Sequence, residues 1–194
     1  MKKKRKQSLP VSGEPSIGDN PTAELELPSV VEEVDFSWEA FDYSIYENSA
    51  VPKNKITIVC FSEADVAEAQ VIKQAARKED IRSTIFYSNH TVGLDSCPIS
   101  DEALAESIKH ASLVVTLSPD NFKHLCMRTW ISGRVLATFM PNTHELDPKF
   151  AKSPYVCHLN RVHQIILTAK KFKTDCKAKM ISNIKTAAFS LMEY

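Results

Sequence analysis

Apolar residues in the middle of the chain alternate between short continuous runs and longer stretches of helical spacing. The short runs lie at residues 56–61, 82–88, 113–117, 134–140 and 155–159. Their length and apolar content are typical of buried strands. Three stretches have helical spacing. The first begins at Ser62, whose side chain can cap the helix, and ends near residue 78. The second begins at Ser100, and the third covers residues 121–131. The alternation predicts right-handed crossovers and an α/β fold, with a parallel sheet of about five strands and helices on both faces.

The last part of the chain, residues 161–192, keeps apolar residues at helical spacing, and no proline interrupts it. This pattern predicts one long C-terminal helix of about eight or nine turns. We expect its first half to close the domain near residue 172. Its second half, within residues 173–194, should project as a helical extension, because one small sheet cannot cover so long an apolar stripe.

Residues 1–52 have a different composition, with five of the ten prolines, two of the four glycines and no sustained period. Such a segment buries too little apolar surface to offset its loss of conformational entropy. We therefore predict a disordered tail at residues 1–52, followed by one folded domain at residues 53–172. Within the tail, residues 30–46 combine acidic and aromatic side chains. They are either a docking peptide or a segment that packs its aromatic rings on its own domain.

The formal net charge is zero, but the charges near the amino terminus are segregated. A basic cluster there consists of Lys2, Lys3, Lys4, Arg5 and Lys6. It suits an anionic membrane surface, a nuclear import signal or simply a solvated charged end. A phosphate on Ser8 would weaken the attraction of this basic cluster to a membrane. Tyr46 is a second candidate phosphorylation site.

The sequence also limits the compartment. No apolar run approaches the roughly 18 residues of a membrane span, and the basic cluster is not followed by the apolar stretch of a signal peptide. The five cysteines are an odd number at wide spacing, which argues against a disulfide framework. We therefore expect a soluble protein of a reducing compartment, either the cytoplasm or the nucleus.

Common catalytic and cofactor patterns do not occur in the sequence. The turn after the first strand, at residues 60–65, has no glycine for a phosphate cradle and places a carboxylate where a phosphate would sit. The third strand ends in Thr-Leu-Ser-Pro, without the aspartate of a receiver domain. Two histidine and cysteine pairs, at residues 124 and 126 and at residues 157 and 158, lack the matching second pair of a zinc site. We expect no catalytic residue, no cofactor, no metal and no nucleic-acid partner.

Three blocks of sequence together resemble the TIR (Toll/interleukin-1 receptor) domain family. Residues 56–65 read ITIVCFSEAD, residues 106–119 read ESIKHASLVVTLSP, and Asn121 and Phe122 are followed by Cys126. The family has a first strand that ends in a serine and an acidic helix start, a third strand that ends in Leu-Ser-Pro, and Phe-Leu-x-x-Trp-Cys beyond it. The resemblance extends over residues 55–172 and implies a flavodoxin-like TIR fold.

The resemblance implies two partner-binding regions. The first corresponds to the BB loop of the family and consists of Asn89, His90, Thr91, Val92, Gly93, Leu94, Asp95, Cys97 and Pro98. Only Gly93 is kept from the family pattern Arg-Asp-x-x-Pro-Gly. The second region is the corner after the third strand and consists of Pro119, Asp120, Asn121, Phe122 and Arg128.

The resemblance also bears on catalysis and partners. TIR proteins that cleave NAD carry a glutamate on the helix after this corner, because the reaction needs a fixed carboxylate. Two alignments place Thr129 or Arg134 at that position, and neither is an acid. The implied function is a non-enzymatic adaptor in innate immune, Toll-like receptor signalling, similar to membrane-targeted bridging adaptors. The implied location is the cytoplasm, at the inner face of the plasma or endosomal membrane, with the nucleus as the alternative. Its expected partners are TIR domains of receptors and other adaptors, a second copy of itself, and anionic phospholipids at the basic cluster. The alternatives are a TIR-type NAD-cleaving enzyme and a SEFIR-like or divergent interaction module with a nuclear-targeted tail.

Overall fold

The computed structural model describes residues 43–47, 51–87, 96–98, 101–140, 143–175 and 178–192. Strands in these residues are β1 (Lys55–Cys60), β2 (Arg82–Tyr87), β3 (Ser96–Pro98), β4 (Leu113–Thr116), β5 (Leu136–Thr138) and β6 (Val156–His158). The α-helices are α1 (Glu63–Lys78), α2 (Asp101–His110), α3 (Phe122–Ile131), α4 (Pro148–Ala151), α5 (Val162–Asp175) and α6 (Ala178–Met192). Short 3-10 helices lie at Tyr43–Tyr46 and Thr143–Glu145.

The strands form one parallel sheet in the order β3-β2-β1-β4-β5-β6. Without the short β3, this order is the one found in flavodoxin-like folds. The predicted α/β class, the parallel sheet and all five predicted strands are confirmed. The central strand β1 is apolar because both faces of the sheet are covered, and its residues Ile56, Ile58 and Val59 are fully buried.

The predicted loop at residues 89–99 is wrong at its carboxyl end, where β3 adds a sixth strand. Ser96 pairs with Ile85, and Pro98 pairs with Tyr87. The sequence of β3 is Ser-Cys-Pro, which is not part of a continuous apolar run, so the sequence pattern gave no sign of this strand. A proline is compatible with it, because β3 is the outermost strand and the missing N–H can face away from the sheet.

Helix α1 begins as predicted at Ser62. The Ser62 hydroxyl accepts a hydrogen bond from the Asp65 N–H at 3.3 Å, and Asp65 Oδ2 accepts one from the Ser62 N–H at 3.0 Å. This reciprocal pair satisfies two backbone donors at the helix start and fixes the direction in which the chain leaves β1.

The helices lie in two layers. Right-handed crossovers place α1 on one face of the sheet and α2 and α3 on the other. Helix α5 contacts α1 and β4, so it belongs to the first layer. Helix α6 contacts α3 and belongs to the second. The predicted C-terminal helical stretch is confirmed as α5 and α6, but the prediction that its second half projects from the domain is wrong. Ile184 and Ala188 of α6 are fully buried, because the apolar stripe is used to cover α3.

A glycine allows this close packing. Gly133 follows α3 with φ +67, and a Cβ at this position would lie 2.6 Å from Cγ2 of Ile181 in α6. The turn has the pattern of a Schellman motif, in which the Gly133 N–H bonds the Trp130 carbonyl at 2.7 Å and the Arg134 N–H bonds the Thr129 carbonyl at 2.9 Å. Position 133 thus needs both a left-handed backbone and no side chain.

The folded unit also begins earlier than the predicted residue 53. The segment Tyr43–Tyr46 is helical and contacts α2 and α3, and the side chains of Tyr43 and Tyr46 are buried. Of the two interpretations of residues 30–46, packing on the chain's own domain is correct for the part at 43–46. Residues 1–42 and 48–50 of the predicted tail lie outside the described residues. None of the described helices is both long enough and apolar enough to cross a membrane.

Candidate functional site

The corner after β4 is held in shape by short-range hydrogen bonds. The Thr116 hydroxyl donates to the Ser118 carbonyl at 3.1 Å, and the Asp120 N–H donates to the Ser118 hydroxyl at 3.2 Å. The Phe122 N–H then bonds the Pro119 carbonyl at 3.2 Å. Asn121 has a left-handed backbone with φ 52, which asparagine tolerates better than most residues. The corner is therefore a fixed surface rather than an open-ended loop.

The predicted corner residues divide into two groups. Pro119, Asp120 and Asn121 are exposed, as a docking surface requires. Phe122 and Arg128 are buried, with exposed fractions of 3% and 0%, so their prediction as partner-binding residues needs correction. Both are buried because α3 is covered on several sides, by α6, the segment Tyr43–Tyr46, α2 and β5.

Arg128 lies inside the domain beneath the segment Tyr43–Tyr46. Its guanidinium carbon is 5.5 Å from the centre of the Tyr43 ring and 5.6 Å from that of Tyr46. Two hydrogen bonds hold the same segment on α3, one between the Tyr43 hydroxyl and His124 Nδ1 at 3.3 Å and one from the Ser132 hydroxyl to the Tyr46 carbonyl at 2.7 Å. Because Tyr46 is fully buried, it is not an accessible phosphorylation site in the folded protein.

The predicted BB-like loop is described only at its end. Asn89, His90, Thr91, Val92, Gly93, Leu94 and Asp95 lie outside the described residues, as do the basic cluster and Ser8. Cys97 and Pro98 belong to β3, the outermost strand. On the side away from β2, its backbone has no neighbouring strand among the described residues. An open strand edge can accept a strand from another chain.

Neither position that was aligned with the NAD-cleaving glutamate opens onto the corner. Thr129 is completely buried. Arg134 precedes β5 and therefore lies at the opposite edge of the sheet. Its guanidinium donates from Nε and Nη2 to the Lys109 carbonyl, at 3.2 and 2.5 Å, at the end of α2. These contacts give Arg134 a structural role, since it satisfies a carbonyl at a helix C-terminus.

A small cavity of about 400 Å³ lies at the carboxyl edge of the sheet. Its lining consists of Glu68, Phe139, Met140, Leu159 and Asn160. Burial and, less strongly, the nearby Asp65 carboxylate raise the pKa of Glu68. Sequence reasoning missed this carboxyl group, because it comes from α1 and not from the helix after the corner. Because Glu68 is exposed, a ligand in this cavity could reach its carboxyl group.

The three cysteines whose side chains are described, Cys60, Cys126 and Cys157, have the properties of structural residues. Burial, followed by the Asp65 carboxylate, raises the pKa of the Cys60 thiol to about 12. Burial also raises the thiol pKa of Cys126 and Cys157. Protonated thiols are poor nucleophiles and poor metal ligands. Among the described residues, no three histidine, cysteine or acidic side chains are placed to hold a metal ion together.

No protein-family model matches this chain, and a search of the curated proteins finds no match either.

Proposed function

We propose that this protein is a non-enzymatic signalling adaptor of the TIR kind, which docks with TIR domains of receptors and other adaptors at the cytoplasmic face of a membrane. The observation that carries the proposal is the rigid, exposed corner Pro119 to Asn121 at the carboxyl edge of a flavodoxin-like sheet. A surface that is already fixed before binding loses little entropy when a partner docks. The side of β3 that has no neighbouring strand among the described residues offers a second contact on the same sheet.

The buried corner residues decide which substitution tests the docking proposal. Arg128 and Phe122 are unsuitable, because changing either would disturb the core. Asp120 is exposed, and only its backbone N–H takes part in the corner, so Asp120→Lys should leave the fold intact. Glu47→Lys is the matched control, because Glu47 is also exposed but lies away from the corner. The preceding residue, Tyr46, accepts a hydrogen bond from Ser132 at the opposite end of α3.

The docking experiment measures association of the full chain with itself and with purified receptor TIR domains. We expect Asp120→Lys to weaken association by about tenfold or more, because charge reversal in an interface opposes the partner's complementary surface. Gly93→Val in the BB-like loop should also weaken it several-fold. Glu47→Lys should have no effect. If both Asp120→Lys and Gly93→Val leave the association and the melting curve unchanged, docking through the corner and the BB-like loop is contradicted.

A TIR-type NAD-cleaving enzyme is the second candidate, and the cavity beside Glu68 favours it. Incubating the purified chain with NAD for hours, next to a heat-inactivated sample, separates the two proposals. We expect no consumption above the inactivated sample, because Thr129 and Arg134 cannot supply the carboxylate. Turnover that disappears in Glu68→Gln would instead identify an enzyme and reject the non-enzymatic proposal.

A further inference from the structure

A wide groove lies at the amino-terminal edge of the sheet, where β1 and β2 begin and where α1 and α2 end. Its volume is about 1060 Å³. Five cationic side chains line it, namely Lys53, Lys55, Lys73, Arg77 and Arg82. The corner after β4 lies at the opposite, carboxyl-terminal edge, because all the strands are parallel. This groove is therefore separate from the proposed docking surface.

The charge of the groove is strongly one-sided. Its five cations face two carboxylates, Asp80 and Glu106, which leaves a net charge of +3 with His110 neutral. Glu106 is itself engaged, since its Oε1 is 2.9 Å from His110 Nε2. A cation near the end of a helix is ordinary, because it interacts favourably with the helix dipole. Of the five cations, only Arg77 lies in the last turn of α1, so this explanation does not cover the others.

Two of these cations occupy neighbouring positions in the sheet. Lys55 in β1 is the direct register partner of Arg82 in β2. Side chains at paired positions of adjacent strands project from the same face, and like charges there repel each other. An anion bound between Lys55 and Arg82 would convert this repulsion into two attractive, charge-assisted contacts.

The backbone that carries these cations is fixed by hydrogen bonds to both neighbours. The Lys53 N–H donates to the His110 carbonyl at 3.0 Å, and the Lys55 carbonyl accepts from the Ser112 N–H at 2.8 Å. On the other side, the Arg82 N–H donates to the Asn54 carbonyl at 3.1 Å. The floor of the groove is therefore already ordered before any ligand arrives, which reduces the cost of binding.

We propose that this groove binds a small, multiply phosphorylated anion, such as an inositol polyphosphate or the headgroup of a phosphoinositide. Arginine and lysine are the common ligands of phosphate groups, and here they come from three separate segments around one cavity. The volume is close to that of small-molecule sites, which reach about 1,000 Å³. No phenylalanine, tyrosine or tryptophan is among the described lining residues, so the groove lacks the large rings on which single-stranded nucleic acids stack.

The test compares two double substitutions that remove the same charge. Arg77→Gln/Arg82→Gln removes two cations from the groove, and Lys149→Gln/Lys152→Gln removes two exposed cations that do not line it. Asp80→Asn is a third variant, which removes an acid from the groove. Asparagine tolerates the left-handed backbone of Asp80, with φ 55, so the fold should be kept. All variants are full chains in which the five cations of the basic cluster are alanine, so that the groove is measured alone.

Titration calorimetry with inositol hexakisphosphate, at about 150 mM salt, measures the soluble ligand. Sedimentation with vesicles that contain phosphatidylinositol bisphosphate, compared with phosphatidylserine, measures the headgroup. We expect the groove double variant to bind about tenfold more weakly than its parent. Asp80→Asn should bind about twofold or more tightly, because it removes a repelling charge. The control pair should match the parent.

The outcomes divide clearly. Binding only in calorimetry assigns the groove to a soluble polyphosphate, and binding to phosphoinositide vesicles assigns it to a headgroup. The proposal is overturned if the chain binds neither inositol hexakisphosphate nor phosphoinositide vesicles. It is also overturned if the groove double variant and the control double variant weaken binding equally, because binding would then depend on overall charge and not on the groove. Tighter binding of an oligonucleotide through the same groove residues would also overturn it. Because the groove and the corner are at opposite edges, failure here leaves the docking proposal untouched.

Discussion

Arg128 is a fully buried arginine in α3, and the rings of Tyr43 and Tyr46 cover its guanidinium. Its long side chain fills space between α3 and the segment Tyr43–Tyr46. Stacking on two rings adds cation–π attraction, which strengthens when water is excluded. Arg128 thus contributes to the attachment of an amino-terminal segment rather than to the surface.

We expect Arg128→Ala to lower the free energy of unfolding by about 2 kcal/mol or more, because it leaves a cavity and removes both ring contacts. Arg128→Met, which keeps most of the volume, should cost less. Arg161→Ala is the control, since Arg161 is exposed and its loss should change stability by no more than about 0.5 kcal/mol. Urea unfolding measures all three. Equal stability of the Arg128→Ala and Arg161→Ala variants would contradict this role for Arg128.

Cys60 gives a prediction about alkaline pH. Burial and the Asp65 carboxylate raise the pKa of its thiol from 9.0 to about 12 in the folded chain. A raised pKa means that the folded state holds the proton more tightly than the unfolded state. The contribution of the neutral thiol is therefore complete below pH 9 and is lost as the pH rises towards 12.

We expect stability to fall as the pH rises from 9 to 11, by up to about 1.4 kcal/mol per pH unit from this thiol. In Cys60→Ala the fall should be shallower, because the thiol is gone while the other titrating groups remain. Denaturant midpoints at a series of pH values measure both slopes. Identical slopes would show that the thiol does not titrate differently in the two states.

Elements that depend on neighbours in sequence could be predicted. The five strands other than β3 follow from continuous apolar runs. The start of α1 follows from Ser62 and Asp65, which form hydrogen bonds with each other's backbone N–H. The carboxyl-edge corner was likewise located from Ser118 and Pro119. These features are encoded within a few residues, so one sequence is enough to locate them.

Elements that depend on distant contacts could not be predicted. Strand β3 exists through pairing with β2, and Tyr43–Tyr46 is held by residues of α3 that lie far along the chain. Helices α5 and α6 share one apolar pattern, but α5 packs on α1 and β4 whereas α6 packs on α3, and the pattern alone does not reveal which layer each helix joins. The charged groove has the same origin, because its cations come from three segments.

The contact between Gly133 and Ile181 tests whether α6 is an integral part of the fold. We expect Gly133→Ala to destabilise the protein by about 1–3 kcal/mol, because the left-handed backbone and the missing Cβ both disfavour alanine. Shortening the opposing side chain in Ile181→Ala should relieve the collision but not the backbone strain. The double variant should therefore be more stable than the sum of the single effects by about 0.5 kcal/mol or more.

Thermal or urea unfolding of the four proteins in this cycle measures the coupling energy. A projecting helix would give additive effects, because residues that do not touch rarely couple. Additivity would therefore contradict the packing of α6 on α3.

The whole molecule has two differently built edges. At the carboxyl edge, Pro119, Asp120 and Asn121 form a small exposed corner, whereas the amino edge holds a wide cationic groove. A protein that binds an anionic ligand at one edge can still present the other edge to a partner domain. The arrangement fits the proposed adaptor, in which a membrane or phosphorylated ligand and a TIR partner are engaged at the same time.

The basic cluster gives the last prediction, which concerns membrane attachment by the full chain. Each cation near an anionic surface contributes about 1 kcal/mol, so Lys2, Lys3, Lys4, Arg5 and Lys6 together contribute about 5 kcal/mol. At about 1.4 kcal/mol per tenfold, this gives a partition of a few thousandfold at most, which is reversible.

Sedimentation with phosphatidylserine vesicles should fall strongly when the five cations become alanine, and also when salt is raised, because salt screens exposed charges. A phosphate-mimicking Ser8→Glu should cause a smaller fall. Electrostatic attachment is rejected if the intact and the alanine chains sediment equally, or if sedimentation does not depend on salt. Nuclear import would then be the favoured role of the basic cluster, and the location of a tagged chain in cells would check it.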